Sequence, residues 1–290
     1  RRDVFSLLAG SVLLGSTLSA RAGGWADGLA ATAAAVETRL GGRVGVAVRE
    51  AETGRAWSRR GDERFALTST FKALAAAAVL ARVERDEDRL DRSVSFAAGD
   101  LVPYSPATEK RVGAPGMTLA EICEAAITLS DNTAGNLMLD AIGGPAGLTA
   151  FLRSIGDGTT RLDRREPELN TAIPGDPRDT TSPAAMAATI ERLVFGDTLS
   201  ATSRARLEAW MTADRVGDGL LRAGLPKTWG IADKTGAGGN GARAIVAATR
   251  PPAGPTVTIA IHLAETAAPM AARNAAIAEI GVAIGRAFEL

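Results

Sequence analysis

The hydrophobic pattern changes its period along the chain, and each change marks a different kind of element. Residues 24–41 (GWADGLAATAAAVETRLG) form an Ala-rich stretch typical of a helix, whereas residues 43–61 (RVGVAVREAETGRAWSRRG) alternate on either side of an ETG turn. Alternation with a period of two is typical of a half-buried strand, so the second segment predicts a β-hairpin. The folded chain therefore begins with a helix and two strands.

The remainder of the chain is first helical and then rich in strands. From residue 67 to about residue 211 nearly all the signals are helical, with loops at 101–110 and 161–181. Apolar strand patterns follow at 229–238, 241–251 and 256–265. A helical pattern over the last 20 or so residues ends the chain.

Both chain ends thus supply strands, while the middle supplies helices. We predict an α/β fold of the α+β type: one antiparallel five-stranded sheet built from both termini with flanking helices, plus an inserted all-helical lobe. The sheet lobe comprises residues 23–66 and 212–290, and the helical lobe comprises residues 67–211, including the loop 161–181. Because ligand sites favour such seams, we expect the active site between the two lobes.

Residues 1–22 have the pattern of an export signal peptide. Two arginines are followed by the apolar run VFSLLAGSVLLGSTL, and Ala20-Arg21-Ala22 has the A-x-A form of a cleavage site. The paired arginines suggest the twin-arginine route. A membrane anchor is the alternative, but the apolar run is shorter than the roughly 18 to 20 residues that span a bilayer. We therefore expect a periplasmic protein with no stable membrane association after signal removal.

Composition excludes several classes of function. Hydrophobic residues make up 46% of the 290, which is enough to bury a core. Lys plus Arg and Asp plus Glu are equal at 33 each, so no bulk attraction to nucleic acid is expected. A single cysteine, Cys123, and a single histidine, His262, rule out an intrachain disulfide and a zinc site built from several such ligands. We expect a small-molecule substrate, a monomer, no metal and no other cofactor.

A lysine inside an apolar helix is the first candidate for chemistry. The stretch TSTFK at 68–72 runs directly into ALAAAAVLARVE, so Ser69 and Lys72 lie three residues apart on one helix face. Burial lowers the pKa of an ammonium group, and the neutral amine could then accept a proton from a serine hydroxyl. The alternative is structural: Ser69 caps the helix and the Lys72 side chain extends to solvent.

Two further motifs favour the catalytic interpretation. SDN at 130–132 follows the helical stretch LAEICEAAITL, and KTG at 234–236 lies on a predicted strand before a glycine-rich turn. S-x-x-K, S-D-N and K-T-G together are the signature of class A β-lactamases and penicillin-binding proteins. With STFK, YSP, SDNTAGNL, REPELN, RDTTSP, DKTGAG and GAR in this order, nearly the whole chain after residue 22 resembles a class A serine β-lactamase.

The resemblance implies a role for each matched residue. Ser69 resembles the nucleophile that opens the lactam ring, Lys72 its proton partner, and Ser130 the residue that relays a proton to the leaving nitrogen. The family's oxyanion hole uses two backbone N–H groups, which fall on Ser69 and Ala237. Further matched residues would contact the substrate. They are Asn132 for the side-chain amide, Lys234, Thr235, Gly236 and Arg243 for the carboxylate, and Tyr104 at the mouth of the cleft. For Tyr104, packing on the surface of its loop is the alternative.

The segment REPELN distinguishes a hydrolase from a transpeptidase, because an acyl-enzyme is inert until a base activates water. The resemblance makes Glu166 that base and Asn170 the residue that helps to hold the water. The Glu166–Pro167 bond is a candidate cis peptide. Arg164 and Asp179 could form an ion pair at the neck of the loop; the alternative is a solvated, charged loop.

The expected activity is hydrolysis of β-lactam antibiotics, penicillins and cephalosporins, through a serine acyl-enzyme, which confers resistance. The sequence leaves open whether Lys72 or Glu166 is the base for acylation. Two other functions remain as alternatives. One is a penicillin-binding DD-peptidase, which has no counterpart to Glu166 and Asn170. The other is a non-hydrolytic β-lactam sensor, which is usually tethered to a membrane.

Overall fold

The computed structural model describes the backbone of residues 17–288 and the side chains of residues 26–288. The predicted export signal, residues 1–22, therefore lies for the most part outside the described residues, and its role stays a prediction. Within residues 17–288, no helix is both long enough and apolar enough to cross a membrane.

The secondary structure follows the order that the hydrophobic pattern predicts at both chain ends. The helices of the described residues are α1 (Thr17–Leu40), α2 (Phe71–Glu84), α3 (Leu119–Thr128), α4 (Asn132–Ala141), α5 (Gly144–Ser154), α6 (Pro183–Val194), α7 (Ala201–Thr212), α8 (Leu221–Gly224) and α9 (Met270–Phe288). The strands are β1 (Arg43–Glu50), β2 (Ala56–Arg59), β3 (Phe65–Ala66), β4 (Ser93–Phe96), β5 (Gly113–Thr118), β6 (Thr180–Thr181), β7 (Gly230–Ala237), β8 (Arg243–Arg250) and β9 (Val257–Ala264).

One antiparallel sheet of five strands joins the two ends of the chain, which confirms the predicted fold class. Its strand order is β2-β1-β9-β8-β7, so β1 near the N-terminus pairs with β9 near the C-terminus. The predicted hairpin is formed by β1 and β2. In the other half of the sheet, Thr235 of β7 lies opposite Ile245 of β8, which in turn lies opposite Ile261 of β9. This register fixes the position of the KTG motif.

Both faces of the sheet are covered, which explains why β8 and β9 are apolar almost throughout. Helices α1 and α9 pack on one face, where Val46, Ile261 and Ile280 are fully buried. Helix α6 packs on the other face. There Val246 belongs to the same apolar cluster as Leu74 of α2, so the core continues from the sheet into the helical part of the chain.

Helix α2 lies in the middle of this shared core. Its residues from Phe71 to Ala81 are all buried, which accounts for an apolar surface all around the helix. Lys72 is among them and is 0% exposed. The Lys72 side chain therefore does not extend to solvent, contrary to the structural alternative considered for it.

Two short sheets interrupt the helical part, and the hydrophobic pattern gives no sign of them. Strand β4 pairs with β5, and β3 pairs with β6, with Phe65 opposite Thr181. A strand of two residues is too short for an alternating pattern to be recognised. The β3–β6 pair joins the end of loop 161–181 to the residues just before α2, so it brings two catalytic candidates together.

Candidate active site

A cleft of about 280 Å³ lies between the sheet and the helical part of the chain. It is bordered by the start of α2, the turn before α4, the loop 161–181, and the facing ends of β7 and β8. The residues that line it are Ser69, Tyr104, Ser130, Asn132, Asn170, Val216, Thr235, Gly236, Ala237 and Arg243. The structure thus brings together residues that the motifs place far apart in the sequence.

Ser69 is placed by a 3₁₀ turn, Thr68–Thr70, that leads directly into α2. Thr68 has a φ of 46°, in the left-handed region that non-glycine residues seldom adopt outside strained or functional sites. The Ser69 hydroxyl accepts a hydrogen bond of 2.9 Å from Lys72 Nζ. Ser69 itself is 8% exposed, so its Oγ can reach the cleft while its lysine partner stays buried.

Oxygen atoms surround the Lys72 ammonium group. Besides Ser69, its Nζ donates hydrogen bonds to the backbone oxygen of Ser130 at 2.8 Å and to Asn132 Oδ1 at 2.7 Å. Glu166 Oε1 lies 3.1 Å away, and both side chains of this ion pair are fully buried. Burial lowers the pKa of Lys72, and the charge of Glu166 acts in the opposite direction. Removal of either partner would leave a buried charge uncompensated.

Ser130 lies in the turn between α3 and α4, where its φ is 58°. The neighbouring Asp131 carboxylate holds this turn. It caps α4 by accepting a hydrogen bond of 2.8 Å from Ala134 N, and it accepts another of 3.0 Å from Thr108 N. Ser130 Oγ accepts a hydrogen bond of 3.1 Å from Lys234 Nζ, so the serine connects the helical part with β7.

Lys234 lies on β7, the strand that borders the cleft. It is 0% exposed. Burial lowers the pKa of Lys234 to about 8; Asp214 opposes this shift, whereas the nearby charge of Lys72 adds to it. The Lys234 hydrogen-bond acceptors, Ser130 Oγ at 3.1 Å and Thr235 O at 3.0 Å, are both neutral groups. The ammonium group is therefore free to attract an anion.

Strand β7 passes very close to the turn that carries the serine. A Cβ atom at position 236 would lie 2.0 Å from Thr68 Oγ1, so only glycine fits there. Ala237, the next residue, lines the cleft together with Ser69. The use of the Ser69 and Ala237 backbone N–H groups as an oxyanion hole stays a prediction.

Arg243 begins β8 directly opposite Ala237. Its guanidinium donates to Gly236 O at 3.1 Å and to Asn274 Oδ1 at 2.8 Å, which are again neutral acceptors. Burial lowers the pKa of Arg243 to about 10, and the neighbouring Arg273 adds to this effect. Lys234 and Arg243 together make this end of the cleft positive, which favours an anionic group of a ligand.

Loop 161–181 is closed at its neck by a buried ion pair. Arg164 Nε and Asp179 Oδ2 are 2.5 Å apart, with side-chain exposures of 19% and 1%. Asp179 Oδ1 also accepts hydrogen bonds from the backbone N–H groups of Asp163 at 2.7 Å and Arg164 at 2.8 Å. The expected pair is therefore formed. The Glu166–Pro167 peptide is cis, as predicted.

Glu166 is fixed from two sides. Its backbone N–H donates to Asn136 Oδ1 at 2.9 Å, and Asn136 Nδ2 donates to its backbone oxygen at 3.0 Å. On the carboxylate, Oε1 accepts a hydrogen bond of 3.4 Å from Ser69 Oγ, and Oε2 accepts one from Asn170 Nδ2. The buried Oδ1 atom of Asn170 has no hydrogen-bond partner among the described residues, so it can accept a hydrogen bond from a bound molecule.

Tyr104 and Asn132 border the opposite rim of the cleft. Tyr104 is 59% exposed, and its backbone oxygen accepts a hydrogen bond of 2.9 Å from Asn132 N. Asn132 Nδ2 donates to Pro103 O at 2.8 Å, while Oδ1 is bonded to Lys72. These contacts fix the Asn132 side chain at this edge of the cleft.

Three residues of this site were given no role in the sequence analysis, although Asn136 lies within the quoted stretch SDNTAGNL. Val216 lines the cleft, Asn136 holds Glu166, and Asn274 holds Arg243. Asn136 follows Asn132 by one helical turn, so its helix face could have indicated it. Val216 and Asn274 reach the site from distant segments, and no local signal marks them.

The single histidine and the single cysteine lie away from the cleft. His262 is buried on β9, where its ring centroid is 5.8 Å from that of Phe65. Cys123 is buried in α3, and burial raises the pKa of its thiol. Within residues 17–288, no group of three or more His, Cys, Asp or Glu side chains is arranged to hold a metal ion.

Comparison with known proteins agrees with the motifs. Residues 28–288 match the model of the β-lactamase enzyme family. The chain is 50% identical over 248 residues to the β-lactamase AER-1 of Aeromonas hydrophila, a match that covers 86% of this chain and 82% of that protein.

Solved structures extend the similarity to three dimensions. An ancestral class A β-lactamase is 57% identical, with a TM-score of 0.88, over 90% of this chain and 100% of that one. The protein named class A β-lactamase PenP, from Rhodopseudomonas palustris, is 52% identical, with a TM-score of 0.88, over 90% of this chain and 99% of that one. The chain therefore belongs to the β-lactamase enzyme family, and its fold is that of the class A enzymes.

Proposed function

We propose that this protein hydrolyses β-lactam antibiotics through an acyl-enzyme on Ser69. One observation carries the proposal: the Ser69 hydroxyl lies within hydrogen-bond reach of both Lys72 Nζ, at 2.9 Å, and Glu166 Oε1, at 3.4 Å. A nucleophile in contact with a potential base is the arrangement that covalent acyl transfer requires. The cationic end of the same cleft would then hold the carboxylate of the antibiotic.

In the acylation step, Ser69 Oγ attacks the lactam carbonyl carbon and loses its proton. The oxyanion that forms would be stabilised by the backbone N–H groups of Ser69 and Ala237, and such donors are worth roughly 3 to 4 kcal/mol each in related sites. The C–N bond of the ring then breaks. Ser130 gives its proton to the leaving nitrogen and regains one from the group that accepted the Ser69 proton. Lys234, which donates to Ser130 Oγ, favours this loss of a proton.

The immediate acceptor of the Ser69 proton can be either of two groups. Lys72 Nζ is the nearer, but its ammonium form donates to oxygen acceptors and must first lose a proton. Glu166 Oε1, 3.1 Å from Lys72 Nζ, could take that proton or the Ser69 proton itself. Both routes end with the same acyl-enzyme.

Residues at both ends of the cleft would orient the substrate. Arg243 and Lys234, whose present partners are neutral, would pair with the substrate carboxylate, and the Thr235 hydroxyl would bond to it. Asn132 would bond to the side-chain amide of the antibiotic. Tyr104, a residue that is 59% exposed, would cover the bound molecule at the mouth of the cleft.

In the deacylation step, Glu166 would remove a proton from a water molecule that attacks the ester carbonyl. Asn170 would orient this water, since its Oδ1 is buried and has no acceptor role within the described residues. The proton then reaches Ser69 as the acyl group leaves. A DD-peptidase has no counterpart to this pair of residues, so Glu166 and Asn170 favour a hydrolase.

Location and assembly are further proposals. We propose that residues 1–22 direct export to the periplasm, by the twin-arginine route, and that the exported enzyme acts as a monomer. The A-x-A site and the paired arginines support the first part. Fractionation of cells that express the wild type and a variant with both arginines replaced by lysine would test it, with loss of periplasmic activity expected in the variant.

A time course with a chromogenic cephalosporin tests the proposed activity. The wild type should turn over many equivalents of substrate at a constant rate, whereas Ser69→Ala should give no product above the buffer control. A single burst from the wild type, with the acyl group retained, would contradict hydrolysis and favour a sensor or a DD-peptidase.

A further inference from the structure

The turn between β7 and β8, residues 238–242, lies against the end of a short helix in loop 161–181. This 3₁₀ helix spans Glu168–Thr171 and contains Asn170. The last carbonyl groups of a helix have no partner inside the helix and must be satisfied from outside. Here the successive carbonyl oxygens of Asn170, Thr171 and Ala172 all accept hydrogen bonds from the β7–β8 turn.

Two residues of the turn supply these donors. Gly239 N donates to Asn170 O at 2.8 Å. The Asn240 side-chain Nδ2 donates to Thr171 O at 3.2 Å and to Ala172 O at 3.3 Å. In the sequence GGNGA of this turn, asparagine is the one residue with a polar side chain. The side-chain bonds between the turn and the helix end therefore depend on Asn240.

The backbone around Asn240 holds its amide in place. Asn240 has a φ of 49°, in the left-handed region that asparagine tolerates better than most residues. Its backbone oxygen accepts a hydrogen bond of 2.8 Å from Glu265 N, just after β9. The turn also approaches the loop too closely for larger residues, because a Cβ atom at position 239 would lie 2.6 Å from Thr171 O.

We propose that Asn240 is a positioning residue for deacylation. By satisfying the carbonyl groups of Thr171 and Ala172, its amide sets the position of the helix end and therefore of the Asn170 side chain, which bonds to Glu166. This inference rests on the proposed function and gives Asn240 no contact with substrate. Of the two acylation routes, the one with Lys72 as proton acceptor uses groups on α2, β7 and the turn before α4, and along that route acylation should not depend on Asn240.

Two substitutions separate the amide from the backbone conformation. Asn240→Gly removes the donor but keeps a residue that adopts a positive φ freely. Asn240→Asp keeps the shape but replaces the donor with a charged acceptor that faces carbonyl oxygens. The rates of appearance and loss of the adduct on Ser69 would be followed with a penicillin by rapid-quench intact-protein mass spectrometry. Deacylation should slow by about three- to tenfold in Asn240→Gly and by more in Asn240→Asp, with acylation unchanged within twofold.

Two controls show whether the effect passes through Asn170. Ile173→Ala changes a half-exposed apolar side chain of the same loop and should leave both steps at the wild-type rate. In an Asn170→Ala background, which already lacks the positioned side chain, the further change Asn240→Gly should have no effect on deacylation. A melting temperature measured for each variant verifies that it is folded.

Several results would overturn the inference. The first is a deacylation rate in Asn240→Gly equal to that of the wild type, and the second is an acylation rate that falls as much as the deacylation rate. The third is a deacylation rate that Asn240→Gly lowers as much in the Asn170→Ala background as in the wild type. A wild-type protein that forms no adduct on Ser69, or never releases it, would instead refute the proposed function, and the inference with it. The wild-type control alone therefore tells the two failures apart.

Discussion

The two walls of the cleft are built in different ways. On one wall, Ser69 and Lys72 belong to α2 and the turn before it, and Lys234 belongs to β7. Helix α2 is surrounded by the core, and β7 is bonded along its whole length to β8. These groups are held by regular backbone hydrogen bonds and by apolar packing, which many residues share.

The other wall is the loop 161–181, which is joined to the chain before α2 by the β3–β6 pair and is otherwise held by isolated contacts. Asn136 fixes the backbone of Glu166, Asp179 closes the neck, and the β7–β8 turn holds the end of the short helix. Apart from the backbone bond between Gly239 N and Asn170 O, each of these contacts depends on one or two side chains. Because parts of a protein can open or shift with separate free energies, single substitutions should affect this wall without disturbing the other. The acylating and deacylating groups are thus separable by mutation.

The largest expected effect comes from Glu166→Ala. Removal of a general base lowers a rate by about 10²- to 10⁴-fold, or roughly 3 to 5 kcal/mol of barrier. Acylation should survive better, because Ser69, Lys72 and Ser130 remain. The variant should release about one product per enzyme and then stall, with the adduct on Ser69 visible by intact-protein mass spectrometry.

The matched control for that variant is Glu168→Ala, which removes an exposed carboxylate from the same loop and should keep steady turnover. If Glu166→Ala also turned over steadily with no trapped adduct, Glu166 could not be the deacylation base. Acylation and deacylation would then not depend on different walls of the cleft.

A second test breaks the neck of the loop through Asp179→Asn. The change leaves the buried side of Arg164 without a charge partner and weakens the bonds to the backbone N–H groups of Asp163 and Arg164. A displacement of about 1 Å at the base can cost roughly 10² in rate, so deacylation should fall by up to about 100-fold. Asp176→Asn, which affects a surface pair with Arg178, should change deacylation little. Equal losses in acylation and deacylation for Asp179→Asn would argue against separable walls.

A third test concerns substrate binding on the wall formed by α2 and the sheet. Arg243→Ala removes a guanidinium group whose hydrogen-bond acceptors within the protein are neutral. The variant should therefore lose the binding energy of one charge pair with the substrate carboxylate. KM for penicillins should rise, and kcat/KM should fall by roughly 30- to 150-fold, or roughly 2 to 3 kcal/mol. Arg250→Ala, at the other end of β8 and paired with Glu208, is the control. An unchanged KM in Arg243→Ala would remove this residue from the site.

The smallest expected effect is a pH dependence of carboxylate binding by Lys234, which lies at the same end of the cleft as Arg243. The pKa of Lys234 is lowered to about 8 by burial, so its ammonium form is complete well below pH 8 and is lost as the pH rises above that value. Carboxylate binding should weaken accordingly, and kcat/KM should fall by up to about tenfold as the pH rises from about 8 to about 9, because Arg243 still holds the carboxylate. In Lys234→Arg, whose guanidinium stays charged, this decline should disappear. A wild-type profile that stays flat up to pH 10 would contradict the assignment.

The sequence predicted the elements with a long, regular pattern. The hairpin of β1 and β2 and the strands β7 to β9 were recognisable because alternation or continuous apolar runs extend over eight residues in most of them. The pairs β3–β6 and β4–β5 were not. Strands β3 and β6 have two residues each, too few for a period, and β5 has the sequence GAPGMT, whose glycines and proline give no apolar alternation. One of these pairs nevertheless helps to place the loop beside the serine turn.

The same distinction holds within the site. The contact between Ser69 and Lys72 was predictable, because residues three apart on a helix always share a face. The motifs around Ser130, Lys234 and Glu166 indicated the chemistry by resemblance. The roles of Asn274 and Asn240 were not predictable, because each depends on a segment that is distant in sequence.

The sequence by itself determined the order of the long helices and strands, the motifs and the family to which they point, because periodicity and short spacings are properties of neighbouring residues. Only the tertiary structure decided the environment of each charge. Lys72 is buried against Glu166 from a distant loop. Among residues 26–288, Arg243 donates hydrogen bonds to neutral acceptors only, which leaves its charge for a substrate. Burial and charge pairing depend on segments that packing brings together, so no local pattern can specify them.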